Sequence, residues 1–136
     1  MNVGLLGNLL PTLFPNPCIK YKILSCNDTS MALDVTSVTD EKKKLRKGTM
    51  IIWTYHGGPN QQFYLLPVGN KKVRIINAAS GYSLEVPNNS SQDGAHLSVN
   101  PNNETQNEVF ELVEHSDKKL KDVYQIKTFC GKVFDC

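Results

Sequence analysis

Short runs of alternating apolar and polar residues, separated by turn-forming residues, recur along the whole chain. In the run 19–23, isoleucine and tyrosine alternate with lysine, and a period of two is that of a half-buried β-strand. Gly, Pro and Asn bound the runs, as in the stretches 57–60, 69–70 and 87–89. No long window has the 3.6-residue apolar spacing of an amphipathic helix. The pattern therefore predicts an all-β protein of short strands.

The runs repeat at an interval of about 50 residues. The triplet Leu-Asp-Val at 33–35 returns as Leu-Glu-Val at 84–86, 51 residues later, and as Phe-Asp-Cys at 134–136, a further 50 residues on. A second pair of similar segments, 60–63 and 107–110, lies 47 residues apart. Each repeat has room for four short strands. A propeller needs at least about four blades, so closure of three repeats around one core is the better prediction.

These residues resemble the repeat of the ricin B-type lectin family, the carbohydrate-binding β-trefoils. That repeat is an apolar residue followed by Asp-Val, then a strand ending in Trp, then Asn-Gln-x-Trp/Phe. The first repeat has Leu33-Asp34-Val35, Ile52-Trp53 and Asn60-Gln61-Gln62-Phe63; the second has Leu84-Glu85-Val86, Leu97-Ser98 and Asn107-Glu108-Val109-Phe110. The resemblance implies an all-β β-trefoil with pseudo-threefold repeats of about 50 residues.

The apolar residues near the start of the chain predict an N-terminal arm at 1–18, and the resemblance implies a trefoil domain at 19–136. The lobes are expected at about 19–67, 72–114 and 122–136, which leaves the third repeat without its last two strands. We weigh three accounts of this gap. A truncated sequence is the favoured one, the second is an arm that covers the missing strands, and the third is strand exchange with a second chain in an oligomer.

The resemblance also implies a sugar site in the first lobe. A sugar ring offers hydroxyl groups in a fixed pattern and one flatter apolar face. Asp34 is expected to accept hydrogen bonds from hydroxyls, Trp53 to lie beneath the ring, and Asn60 both to donate and to accept. Gln61 is expected to brace the lobe. The alternatives are that Asp34 and Asn60 are turn residues and that Trp53 is an ordinary core residue.

Three further residues belong to the expected rim of this site. Tyr55 and His56 are expected to line it, whereas Ile51 stands where some relatives have a polar contact. A weaker second site is expected at Glu85, His96 and Asn107. In aligning the repeats we place Ser98 at the position of Trp53, which leaves this second site without an aromatic plate. In the third repeat Asp135 stands without aromatic or amide partners.

Composition sets the class of molecule. The chain has 136 residues and a mass of 15.2 kDa, with 40% hydrophobic and 21% charged residues, which fits one globular domain and excludes a coiled coil or a disordered tail. The net charge of +2 does not favour nucleic acid as a partner, and no apolar stretch is long enough to span a membrane. A basic run, Lys42, Lys43, Lys44, Arg46 and Lys47, is expected either as a solvated loop or as a patch for an anionic surface.

The remaining chemistry predicts no metal, no cofactor and no catalytic residue. Cys18, Cys26, Cys130 and Cys136 have no Cys-x-x-Cys spacing, and their disulfide pairing stays open. The three histidines are scattered, and equivalent acidic residues in different lobes lie too far apart for a glycosidase pair. Four Asn-x-Ser/Thr sequons, at Asn27, Asn88, Asn89 and Asn103, favour a secreted or extracellular protein over a cytoplasmic one.

The sequence therefore predicts a lectin-like module that binds glycans or glycoproteins weakly through the first lobe. The alternative is a β-trefoil used for protein–protein contact or coat structure, with its sugar sites eroded. A trefoil protease inhibitor is less favoured, because nothing marks a reactive loop.

Overall fold

The computed structural model describes residues 2–6, 14–36, 38–39, 45–46, 48–101, 103–117, 119 and 122–134. Within these residues the chain forms twelve β-strands and three single-turn 3₁₀ helices, which confirms the all-β prediction. The strands are β1 (Asn2–Leu6), β2 (Lys22–Ser25), β3 (Met31–Val35), β4 (Val38–Thr39), β5 (Leu45–Arg46), β6 (Met50–Thr54), β7 (Phe63–Gly69), β8 (Lys72–Asn77), β9 (Ser83–Glu85), β10 (Ser98–Asn100), β11 (Phe110–Glu114) and β12 (Val123–Lys127). The 3₁₀ helices are Pro59–Gln61, Pro87–Asn89 and Gln106–Glu108.

Six of the strands form a closed antiparallel barrel. β1 pairs with β2 and β12, β8 with β7 and β11, and β11 also with β12. The ring closes between β2 and β7, where Tyr21 and Phe63 exchange backbone hydrogen bonds of 2.7 and 2.8 Å. Because the ring is closed, each barrel strand has a partner on both sides and no barrel edge is left open.

The register of the barrel shows the pseudo-threefold repeat. In every lobe the last barrel strand lies against the first at the same position of the repeat. The three facing pairs are Tyr21 with Phe63, Val73 with Phe110, and Tyr124 with Val3. The predicted β-trefoil is therefore confirmed, and β1 takes the place that the fourth strand of the third lobe has in this arrangement.

β1 belongs to the apolar segment 1–18, which the sequence predicted to be an arm separate from the trefoil domain. β1 lies between β12 of the third lobe and β2 of the first, and Val3 is fully buried in the core. The barrel therefore includes a strand from that segment. Residues 7–13, Asp135 and Cys136 lie outside the described part of the chain.

Equivalent apolar residues of the three repeats meet in one hydrophobic core. Two sets show this, each with one buried residue per lobe. They are Ile23, Ile75 and Ile126, and Leu33, Leu84 and Phe134. Burying such side chains supplies most of the free energy that holds the lobes together, at about 25 cal/mol per Å² of apolar surface. The apolar residues that recur in the three repeats are therefore core residues.

The site depends on the two-stranded hairpin of the first lobe. β3 and β6 pair over five positions, with Asp34 opposite Ile51 and Ala32 opposite Trp53. After β6 the chain passes through residues 55–58 and the 3₁₀ helix Pro59–Gln61 before it enters barrel strand β7. The second lobe repeats this order with the shorter hairpin of β9 and β10. Each hairpin thus faces a 3₁₀ turn of its own lobe.

Candidate functional site

A buried carboxylate, that of Asp34, lies at the centre of the site. Asp34 is only 4% exposed. Its Oδ1 accepts a hydrogen bond from Asn60 Nδ2 at 2.9 Å, and its Oδ2 accepts one from Gln61 Nε2, also at 2.9 Å. A buried carboxylate needs such donors, because leaving it unpaired away from water is costly. Three of the four residues predicted for the first site are therefore joined in one network.

Gln61 has the bracing role that was expected of it. Its side chain is completely buried, and Nε2 also donates to the carbonyl of Thr54 at 2.9 Å. Its Oε1 accepts the backbone N–H of His56 at 2.8 Å. Gln61 thus ties the end of β6 and the following turn to Asp34, and it lies too deep to touch a ligand.

The 3₁₀ turn Pro59–Gln61 positions Asn60. Proline at its first position has the required φ and lacks an N–H that would be unpaired there, and the N–H of Gln61 donates to the carbonyl of Gly58 at 2.9 Å. The side chain of Asn60 is half-buried. One amide hydrogen is used on Asp34, so the second hydrogen and the carbonyl oxygen remain suitable for a sugar hydroxyl.

His56 lies beside the same carboxylate. Its Nε2 is 3.8 Å from Asp34 Oδ2, and its side chain is 52% exposed. Its Nδ1 accepts the backbone N–H of Gly58 at 3.1 Å, so the neutral ring carries its hydrogen on Nε2, on the side of Asp34. A Cβ at Gly58 would lie 2.5 Å from His56 Cε1 and 2.8 Å from Asn60 Oδ1, so only glycine leaves both side chains undisturbed.

Trp53 provides the aromatic surface of the site. It is 58% exposed, so the alternative of an ordinary core tryptophan is wrong. Side chains two residues apart on a strand share a face, and Trp53 therefore lies on the face of the hairpin that carries Ile51 and, across the strands, Asp34. An exposed indole on the same hairpin face as a hydrogen-bonded carboxylate is an arrangement suited to a ring that is apolar on one face and polar at its edge.

The second lobe has a different arrangement at the equivalent place. Glu85 is 3% exposed; its Oε1 accepts from Ser98 Oγ and its Oε2 from Asn100 Nδ2, both at 3.3 Å. Ser98 lies opposite Glu85, as Ile51 lies opposite Asp34. The equivalent of Trp53 is therefore Asn100, and the sequence alignment that put Ser98 there was wrong by two residues.

The source of this error is the long interval between β3 and β6, which hides the register. A constant offset of 47 residues joins Asn60 to Asn107, and the same offset applied to Trp53 gives Asn100. That offset is the signal that identifies Asn100, a residue that the sequence analysis missed.

The other residues predicted for the second site do not join Glu85 in one network. Asn107 donates from Nδ2 to the carbonyl of Val86 at 3.1 Å, and its Oδ1 accepts from the hydroxyl of Thr105. His96 is exposed in the segment before β10. Among the described residues no hydrogen bond joins Glu85 to His96 or Asn107.

Glu108, the equivalent of Gln61, is hydrogen-bonded to Arg74 and to its own loop. Its Oε2 accepts from Arg74 Nη1 at 2.9 Å, and its carboxylate also accepts the backbone N–H groups of Asn103 and Glu104. Glu108 is completely buried, so the arginine compensates a charge that has no access to water. The second lobe thus uses this position to hold its own loop.

Other predicted features contribute little to the described surface. Of the basic run, Lys42, Lys43, Lys44 and Lys47 lie outside the described residues, and Arg46 is described only as backbone of β5, which pairs with β4. In the described ranges no group of three His, Cys, Asp or Glu residues is arranged to hold a metal ion. Nor does any helix there have the length and apolarity to cross a membrane.

Three of the four cysteines are described. Cys18, Cys26 and Cys130 are exposed and carry free thiols. The hydroxyl of Thr128 lies 3.3 Å from Cys130 Sγ and lowers the pKa of that thiol, whereas partial desolvation of the Cys26 thiol raises its pKa.

Solved structures share this fold. A designed threefold-symmetric protein, ThreeFoil, is 27% identical with a TM-score of 0.72, over 85% of this chain and 77% of that one. The exo-β-1,3-galactanase 1,3Gal43A from Clostridium thermocellum is 29% identical with a TM-score of 0.70, over 88% of this chain and only 24% of the enzyme. A Polyporus squamosus lectin, in complex with the epitope Neu5Acα2-6Galβ1-4GlcNAc, is 20% identical with a TM-score of 0.67, over 84% of this chain and 38% of the lectin.

Family membership follows from the sequence itself. No curated protein sequence matches this chain. The family model described as the ricin-type β-trefoil lectin domain-like family matches residues 16–100 and 59–131, and so most of the chain. The resemblance seen in the repeats is confirmed: the chain belongs to the ricin-type β-trefoil lectin domain-like family.

Proposed function

We propose that the protein is a carbohydrate-binding module that recognises glycans through one shallow site in its first lobe. The observation that carries this proposal is the exposed Trp53 on the same hairpin face as Asp34, whose carboxylate is bound by Asn60 and Gln61. The lectin-like family and fold support it. The galactanase match covers 24% of that enzyme, and we propose a binding role for this chain rather than a catalytic one.

In this site each group has a distinct part in recognising a sugar. The carboxylate oxygens of Asp34 each have a lone pair beyond the one used by the amides, and accept hydrogen bonds from ring hydroxyls. Asn60 and His56 donate through Nδ2 and Nε2. Trp53 covers the apolar face of the ring. Ile51, opposite Asp34, provides no polar contact, so the sugar is held from one side.

A site of this size binds weakly. A few hydrogen bonds in competition with water and one stacked ring supply about 4 kcal/mol, which corresponds to a dissociation constant of about 1 mM. Tight attachment then needs several copies of the protein or a dense glycan surface. Such a ligand and the sequons favour a secreted or extracellular location.

Isothermal titration calorimetry of the folded protein with a panel of monosaccharides and disaccharides tests this function. One sugar class should bind with millimolar affinity and one site per chain, and should change the fluorescence of Trp53, the only tryptophan in the sequence. The absence of binding at about 10 mM saccharide, with the protein folded, would contradict the proposal.

A second function has one specific observation in its favour. In the second lobe Glu85 and Asn107 are engaged by internal hydrogen bonds, and the position equivalent to Trp53 is Asn100 rather than an aromatic residue. This is expected if a trefoil had been retained for protein contact. A folded protein that binds no saccharide but is captured specifically by a protein partner would favour this alternative.

A further inference from the structure

The hairpin face that carries the proposed sugar site extends beyond Trp53. The pairing of β3 with β6 continues past the last strand residue, where the N–H of Tyr55 donates to the carbonyl of Ser30 at 2.8 Å. Residues 51, 53 and 55 therefore share one face, at intervals of about 7 Å. Such a spacing suits neighbouring units of an oligosaccharide, so a ligand seated on Trp53 can reach Tyr55.

The side chain of Lys22 forms a cation–π contact with the ring of Tyr55. The Nζ of Lys22, on the adjacent strand β2, lies 4.9 Å from the centre of the Tyr55 ring, and both side chains are half-buried. The ring holds the ammonium group in place but does not neutralise its charge. Within the described residues no carboxylate lies within 4.0 Å of this nitrogen.

Two carboxylates near this face are already engaged. Asp34 accepts from Asn60 and Gln61, and Asp28 accepts from the N–H and hydroxyl of Ser30 at 3.0 and 2.6 Å. In the described part of the chain, the ammonium group of Lys22 is thus oriented by the Tyr55 ring and has no carboxylate partner within 4.0 Å. An anionic group of a ligand is its natural complement, through charge-assisted hydrogen bonds.

We propose that Lys22 and Tyr55 form a second subsite that takes the acidic unit of an oligosaccharide whose neutral unit lies on Trp53. The acidic group is a sugar carboxylate or a sulfate ester, which share anionic oxygens that accept from an ammonium group. This inference rests on the proposed carbohydrate-binding function and specifies its ligand class as acidic glycans.

The test compares matched neutral, sulfated and carboxylated forms of the same oligosaccharides on a glycan array, followed by calorimetry of the best matched set. The proteins are the natural chain, Lys22→Gln, Lys22→Arg and, as a control for charge alone, Lys72→Gln on β8. Lys72 is exposed and lies in the second lobe. Thermal unfolding and circular dichroism verify that each variant is folded.

The expected result is a preference of about twofold to fivefold for an acidic form at low salt, the size of one exposed ion pair, which weakens as salt is added. Lys22→Gln should abolish this preference and leave the neutral form bound as before. Lys22→Arg and Lys72→Gln should keep it. The sulfated and carboxylated arms show which anion is preferred.

Two results would overturn the proposal, and they differ from failure of the function itself. Neutral saccharides that bind while their acidic forms bind no more tightly would remove the second subsite but leave the first. An acidic preference that persists in Lys22→Gln would do the same. If the folded protein binds no saccharide of any form, the proposed function fails and this inference fails with it.

Discussion

The first and second lobes have the same strand register and different polar networks. In the first lobe Asp34 is held by two amides from the Pro59–Gln61 turn. In the second, Glu85 is held by Ser98 and Asn100 from the neighbouring strand. The longer glutamate reaches its partners across the hairpin, whereas the shorter aspartate reaches the turn. One methylene group, together with the partners available, changes which element the acid is tied to.

A second difference, Gln61 in one lobe and Glu108 in the other, explains why the networks cannot be interchanged. Gln61 donates to Asp34, and a carboxylate at that position has no hydrogen to donate. Glu108 instead turns to Arg74 and the backbone of its own loop. An amide at this position of the turn is therefore what ties the buried carboxylate of Asp34 to the turn.

The largest effect is expected from Gln61→Glu, which gives the first lobe the residue of the second. Two carboxylates then meet in a buried position, and we expect the free energy of unfolding to fall by about 2–4 kcal/mol near pH 7. Saccharide binding should be lost with it. Repulsion between the two carboxylates raises the pKa of one carboxyl in the folded variant. That carboxyl is therefore protonated as the pH is lowered to about 4, and the free energy of unfolding should recover in part. Urea unfolding at both pH values measures this.

The matched control is Glu108→Gln, which removes the anionic partner of the partly buried Arg74. It should also lower the free energy of unfolding, but it should leave saccharide affinity unchanged because the first lobe is intact. Loss of binding in this control, or normal binding by Gln61→Glu, would show that the two lobes are not independent in the way described.

Trp53→Ala should separate binding from stability. The side chain is 58% exposed, so its removal should change the free energy of unfolding by less than about 1 kcal/mol. Loss of the stacked ring should weaken saccharide binding by about tenfold or more. Calorimetry and thermal unfolding of the same sample measure both quantities. Unchanged affinity would show that the indole is not the sugar platform.

Gly58→Ala should have a smaller effect on the same site. The new methyl group would press on the ring of His56 and the amide of Asn60, while the backbone φ of −69° is one that alanine adopts readily. We expect affinity to fall by a few-fold and stability to stay nearly constant. The variant to compare is His56→Gln. It should weaken binding to a similar extent if the Nε2–H of His56 donates a hydrogen bond to the saccharide.

The smallest effect is expected from His96→Ala in the second lobe. His96 is exposed and shares no described hydrogen bond with Glu85. Affinity and the number of sites per chain should both be unchanged. A drop in the measured number of sites from two to one would restore the second site that the sequence analysis expected.

The repeats predicted the fold because their apolar letters are core positions. Phe63 and Phe110 are completely buried at equivalent places, and burial leaves a periodic trace in the sequence. Strand β1 left no such trace: its Asn-Val-Gly-Leu-Leu has no counterpart of the Asn-Gln-Gln-Phe of the first lobe or the Asn-Glu-Val-Phe of the second. Its place in the barrel depends on pairing with β12 and β2, which are distant in the chain or separated from it by a long connection.

The site was predictable where side-chain type decides the contact. Asp34, Asn60 and Gln61 were identified by the ordered motif, and the structure joins them. The position of the His56 ring hydrogen was not predictable, because it depends on a backbone N–H of Gly58. The contact of the Lys22 ammonium group with the Tyr55 ring is between residues that are 33 positions apart, and no local sequence pattern predicts such a contact.

Chemical-shift mapping by ¹H–¹⁵N NMR, with increasing amounts of the best-binding saccharide, tests the central claim most directly. We predict saturable shifts of the Trp53 indole N–H, of the side-chain amide of Asn60 and of the backbone amides at 55–61, with no comparable change at 83–86 or 98–108. Shifts centred on the second lobe, or a fully folded spectrum that no saccharide perturbs, would contradict the account.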